Sequence, residues 1–155
     1  SLLPVTADNL ILVGVFDGFS WIRCEGKGSF MNSPAVKAFG DLRIAAGEGL
    51  LVVDLGGCTG MDSTFMGTLA GMAARLSAME GGGLTIAEPG GRNRRSLIPS
   101  IRSKRLPGIS SLPGRRLRLI PAGGYKSDLT LRPAVRKPPL RWRASVHRQS
   151  TTPVR

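Results

Sequence analysis

Residues 52–69 read VVDLGGCTGMDSTFMGTL, and this stretch decides the fold. With Leu50 and Leu51 before it, the opening LLVVDL is almost wholly apolar and rich in β-formers. A strand apolar on both sides needs cover on both faces, which predicts a central strand in a sheet packed by helices. Its one acid, Asp54, stands at the carboxyl end of the run, where open α/β sheets place their functional loops. A glycine-rich loop over residues 56–60 and Met61 lead into Asp62-Ser63-Thr64. These short polar side chains suit a helix start, where four backbone N–H groups lack partners. Phe65, Leu69, Met72, Leu76 and Met79 then repeat at four, three, four and three, one face of an amphipathic helix. Gly67, Ala70, Gly71, Ala73 and Ala74 keep that helix slim and predict a close approach to the sheet.

Upstream, residues 10–16 (LILVGVF) precede Asp17-Gly18, a tight-turn signal, and residues 19–26 alternate in part, so a β-hairpin is expected. Asn32-Ser33-Pro34 marks a second helix start, with a cap and a proline in the first turn. Ala35, Phe39, Leu42 and Ala46 give that helix a buried face, and Gly47 and Gly49 end it. Downstream, Gly81-Gly82-Gly83 stops the second helix and residues 84–87 read as another strand. The order is strand, strand, helix, strand, helix, strand, and a short third helix is expected from Asn93.

This arrangement resembles the STAS domain, the fold of anti-sigma factor antagonists. The matching elements are Asp54-Leu55 at the strand end, the loop over 56–60, Met61, Asp62-Ser63-Thr64, and a helix rich in small residues. The likeness covers roughly residues 10–97 and implies an α/β fold: a four-stranded mixed sheet with helices packed on it, followed here by an irregular basic tail. It also implies a regulatory module that binds proteins. In that family the serine after the aspartate, Ser63 here, is the phosphoacceptor, with Thr64 a weaker candidate. The implied partners are a serine kinase that is also the anti-sigma factor, and a phosphatase that restores the serine. The implied contact residues are Asp54, Met61, Asp62, Ser63 and Thr64. Phe65 departs from the family, occupying a position often held by glycine in sporulation antagonists. On the residues alone, Asp62-Ser63-Thr64 also reads as an ordinary helix cap.

Physical chemistry supports a switch at this position. A phosphate adds about −1.5 to −2 charges and three acceptor oxygens. A helix N-terminus tolerates that charge locally, while bulk and repulsion act on a docked partner.

Other functions find little support. Asp17, Asp54 and Asp62 are accounted for by a turn, a strand end and a helix start. No activated nucleophile and no nucleotide-binding glycine loop is present, so no enzyme activity and no cofactor are expected. The two cysteines, Cys24 and Cys58, with the single His147, do not make a four-ligand zinc site, and no metal is expected. They read as separate buried apolar residues in a reducing, cytoplasmic compartment. No apolar run reaches the ~20 residues of a membrane span, so no membrane contact is expected.

The net charge of +12 is unevenly distributed. Residues 1–91 carry five basic and nine acidic side chains; residues 92–155 carry 17 basic side chains and one acid, Asp128, with eight of the 11 prolines. The expected division is a STAS-like domain over 1–97, its terminal helix cut short before Pro99, and a disordered Pro/Arg-rich tail over 98–155. Three readings of that tail stay open: a nucleic-acid contact through phosphates, with Trp142 available for stacking; a solvated tail without a partner; and out-of-frame translation past about residue 97. A nucleic-acid-associated protein using the tail is accordingly the alternative function.

Overall fold

A computed structural model of the chain describes residues 9–90, 93 and 101–117. The tail beyond 117, with Trp142 and most of the nucleic-acid surface expected of it, lies outside the described residues, as does the helix expected from Asn93 apart from that residue itself.

Strands β1 (Leu10–Phe16) and β2 (Phe19–Gly28) form the expected hairpin, pairing Phe16 with Phe19 across Asp17-Gly18. Gly18 turns with a φ of 92°, a conformation in which a Cβ is strained. Helix α1 (Ser33–Ala45) follows, then β3 (Leu50–Asp54), β4 (Cys58–Met61), helix α2 (Ser63–Ser77) and β5 (Gly83–Ala87). Beyond residue 100 come β6 (Arg102–Lys104), a 3-10 turn (Ile109–Ser111) and β7 (Arg115–Arg116). The sheet order is β6-β5-β3-β2-β1-β7. β2, β3, β5 and β6 run parallel to their neighbours, while β1 is antiparallel to both β2 and β7. The ten-residue β2 also pairs in parallel with β4 through Gly26, Lys27 and Gly28. The sheet is therefore mixed, as expected, but β4, β6 and β7 extend it beyond the four strands anticipated.

Strand alternation sorts the core into two layers. One face turns Val13, Val15, Ile22, Leu51, Val53 and Ile86 toward the helices, meeting Val36 and Phe39 of α1 and Phe65, Leu69, Met72 and Leu76 of α2. The α2 stripe is buried as its spacing predicts, with Met79 packed against it from beyond the helix end. In α1 the buried face is Ala35, Val36, Phe39 and Gly40, a rotation from the expected stripe that leaves Leu42 45% exposed and Ala46 at the surface. Gly67 and Gly71 likewise face outward, lining a groove between α1 and α2 beside Thr64 and Thr68; they do not serve a close approach to the sheet.

The second face turns Phe19, Trp21 and Val52 away from the helices, joined by Phe16 and Ala87. Phe16 and Phe19 stack at 5.2 Å between ring centroids. LLVVD is thus buried on both faces, but its second cover is not a helix: Leu106 and Ile109 close it, with Leu112 at the margin. This corrects the boundary expected at residue 97. Residues 101–117 contribute strands at both edges of the sheet and apolar side chains to its core, because Ile101, Leu106, Ile109 and Leu117 supply the apolar content that the surrounding arginines and prolines mask in a composition average.

Leu69→Ala removes a wholly buried side chain from the α2 face and should cost about 2–5 kcal/mol, read as a lower midpoint in urea. Ending the chain after residue 100 should uncover Trp21, which that truncation leaves as the sole tryptophan. Its emission should shift to the red and the urea midpoint should fall; an unchanged spectrum and midpoint would place residues 101–117 off the sheet.

Candidate functional site

The exit of β3 is built around a buried carboxylate. Asp54 is fully inaccessible, accepts a hydrogen bond from the Gly56 amide at 2.8 Å, and lies 3.9 Å from the Arg23 guanidinium. Asp54 therefore shapes the turn from beneath the surface and is withdrawn from the contact set, since a partner cannot touch it. The loop after it is short. At Cys58 the chain resumes as β4, a strand where the glycine-rich sequence suggested only loop, because β2 outruns β3 and offers Gly26, Lys27 and Gly28 as a free edge.

Met61 ends β4 half-buried against the helix-side core. Asp62 is the N-cap of α2, its Oδ1 accepting from the Phe65 amide at 2.8 Å. Its Oδ2 accepts from the Phe30 amide at 2.8 Å, and its own N–H donates to the Gly28 carbonyl at 2.9 Å. The Phe65 amide above all, then the Phe30 amide and the nearby Lys27 charge, hold the Asp62 carboxyl below the usual carboxylate range. With Asp62 as cap, Ser63 is the first helical residue, and both it and Thr64 are exposed. The next residue, Phe65, is fully buried with its ring against Gly28: a Cβ there would stand 2.7 Å from the ring. The bulky residue that departs from the family is thus accommodated by a glycine on the facing strand.

The structure adds two residues that the sequence reading missed. Phe30 and Met31 are 66% and 71% exposed in the β2–α1 loop, which the Phe30–Asp62 hydrogen bond ties to the start of α2. Their signal was available: two large apolar residues in an otherwise polar turn, with no place on the stripe of the following helix. Asn32 also differs from expectation. Its side chain does not cap α1; it accepts from the Ser29 amide at 2.8 Å and donates to the Lys27 carbonyl at 3.0 Å, bracing the loop from within. Ser33 adds a bond from its hydroxyl to the Ser29 carbonyl at 2.8 Å. The surface that results sets two apolar side chains beside a cap carboxylate and two hydroxyls, a composition suited to contact with a protein.

No protein-family model and no curated protein matches the chain. Solved structures do. SpoIIAA, an anti-sigma factor antagonist whose structure was determined in its unphosphorylated form, aligns with a TM-score of 0.57 at 17% identity, over 66% of this chain and 93% of that one. A Thermotoga maritima protein described as an anti-sigma factor antagonist aligns with a TM-score of 0.55 at 16% identity, over 64% of this chain and 87% of that one. The fold is that of the STAS domain. At these identities the likeness is one of fold, and the STAS framework fixes where the Asp62-Ser63-Thr64 turn sits in it.

Among the described residues no helix is long and apolar enough to cross a membrane, and no three His, Cys, Asp or Glu side chains gather as a metal site.

Asp62→Ala should lower the melting temperature at neutral pH by releasing both the α2 cap and the β2–α1 loop. Because the folded pKa of Asp62 is depressed, its contribution is present above the unfolded carboxylate pKa and is lost as pH falls through the folded value. The gap in melting temperature between wild type and Asp62→Ala should therefore close only below the ordinary carboxylate range. A gap independent of pH across that range would separate the cap from the carboxylate charge.

Proposed function

We propose that this STAS domain is a regulatory, non-enzymatic module of the anti-sigma factor antagonist kind. It binds a serine kinase that also acts as an anti-sigma factor, and phosphorylation of Ser63 releases that partner. Its place of action is the cytoplasm, and a phosphatase returns Ser63 to its neutral form. The observation that carries this reading is the division of labour at the start of α2. Asp62 holds the helix, which leaves the Ser63 hydroxyl exposed at a rigid position beside Phe30, Met31 and Thr64.

A docked partner meets a small neutral hydroxyl and two apolar side chains, with Met61 beneath them. Phosphate replaces that hydroxyl with a bulky group of about −2 charge next to the Asp62 carboxylate. The helix N-terminus tolerates the added charge, so the fold persists while the contact is lost.

The test is a titration of the folded chain against the anti-sigma factor kinase of the same cell. Ser63→Ala keeps the surface small and neutral and should bind as wild type does. Ser63→Asp should weaken binding about ten-fold or more, about 1.4 kcal/mol. Phe30→Ala with Met31→Ala should weaken it without a loss of melting temperature, since both side chains are largely in solvent. Equal affinity of wild type, Ser63→Ala and Ser63→Asp would leave Asp62-Ser63-Thr64 an ordinary helix start.

A further inference from the structure

Read from the sequence as separate apolar residues, the two cysteines of the chain meet in the fold. Cys24 lies on β2 and is wholly buried; Cys58 opens β4 and is only partly covered. The two strands are neighbours, with Cys58 opposite Gly26, and their register slips between Gly26 and Lys27. A slip of this kind bends the strand and re-aims nearby side chains. The two thiols share a hydrogen bond. The Cys58 sulfur also contacts the Gly60 carbonyl at 3.3 Å, and the Asn93 amide holds the Cys58 carbonyl at 2.9 Å.

The polar surroundings divide the pair into unlike members. The hydrogen bond from Cys24, with others from the Gly60 and Gly28 backbone and from Asn93, brings the Cys58 thiol down to about 6. The same hydrogen bond, with burial, pushes Cys24 up. At neutral pH Cys58 is the thiolate and Cys24 the thiol that donates to it, the arrangement of an attacking and a resolving cysteine.

We propose that Cys24 and Cys58 are a reversible redox pair, oxidised by a hydroperoxide to an intramolecular disulfide that ties β2 to β4. The partly exposed Cys58 sulfur attacks one peroxide oxygen. The O–O bond breaks, the other oxygen leaves and takes a proton to become water or an alcohol, and Cys58 becomes a sulfenic acid. The Cys24 sulfur then attacks the Cys58 sulfur. The S–S bond forms, the S–O bond breaks, and hydroxide leaves with the Cys24 proton as water. Two electrons pass from the two thiols to the peroxide, and a dithiol reductant reverses the change. The chemistry stands apart from the Ser63 reading and needs no partner protein.

The experiment uses the full chain, fully reduced and then treated with hydrogen peroxide. Remaining thiols are alkylated after unfolding, and digests are read by mass spectrometry with dimedone present to trap sulfenic acid. In wild type, a peptide joining Cys24 to Cys58 within one chain should appear and vanish on dithiothreitol. Cys24→Ser should instead accumulate a dimedone adduct at Cys58, and Cys58→Ser should leave the buried Cys24 unoxidised. The wild-type result does not depend on either variant folding, and Cys24→Ala provides a second form of the resolving-residue test. The proposal is overturned if wild type keeps two alkylatable thiols under peroxide that oxidises Cys58 in the Cys24 variants. It is overturned equally if Cys58 in wild type stops at the dimedone adduct, or if the only disulfide joins two chains.

Discussion

Three hydrogen bonds through Asp62 hold two separate loops in one arrangement. One carboxylate oxygen starts α2, the other fastens the β2–α1 loop, and the backbone N–H is tied to the end of β2. Without them Ser63 and the Phe30-Met31 pair would belong to unrelated parts of the surface. An acid at the head of a helix is favoured by the unpaired amides and by the helix dipole, so the interaction that organises the surface also stabilises the fold. The rigidity of the candidate contact therefore comes at no structural cost.

The core elements were legible in the sequence because each is written in a local period. The α2 stripe, the Asp-Gly hairpin and the LLVVD strand follow from spacing and turn chemistry, and the structure places all three as read. What escaped the reading depends on contacts distant in the chain. β4 exists because β2 is longer than β3, which no window around Cys58 reveals. Leu42 follows the helical period of α1 yet faces solvent, because the buried face there is set by Val36 and Gly40 meeting the sheet and α2. At the site, the Asp-Ser-Thr turn was visible as a motif, but Phe30 and Met31 join it through one backbone hydrogen bond across 32 residues. The meeting of Cys24 and Cys58 was hidden for the same reason.

The sheet's second face shows how composition averages mislead. Trp21, Phe19 and Val52 need an apolar cover, and it comes from Leu106 and Ile109, embedded in the most basic and proline-rich part of the chain. Fully burying a large apolar side chain is worth about 1.5–3 kcal/mol, so a few such residues suffice to seat a segment whose overall character suggests disorder.

The same segment places Arg102 and Lys104 on one outermost strand of the sheet and Arg115 and Arg116 on the other. An open sheet presents unpaired amides and carbonyls along its margins, and these recruit strands from other molecules. Margins only three and two residues long, studded with cations, make a poor template: two copies brought edge to edge would set like charges against each other while gaining few hydrogen bonds. Part of the positive charge that suggests a polyanion partner thus acts as a guard against self-association, and replacing it with uncharged residues would trade solubility for fibre-like pairing.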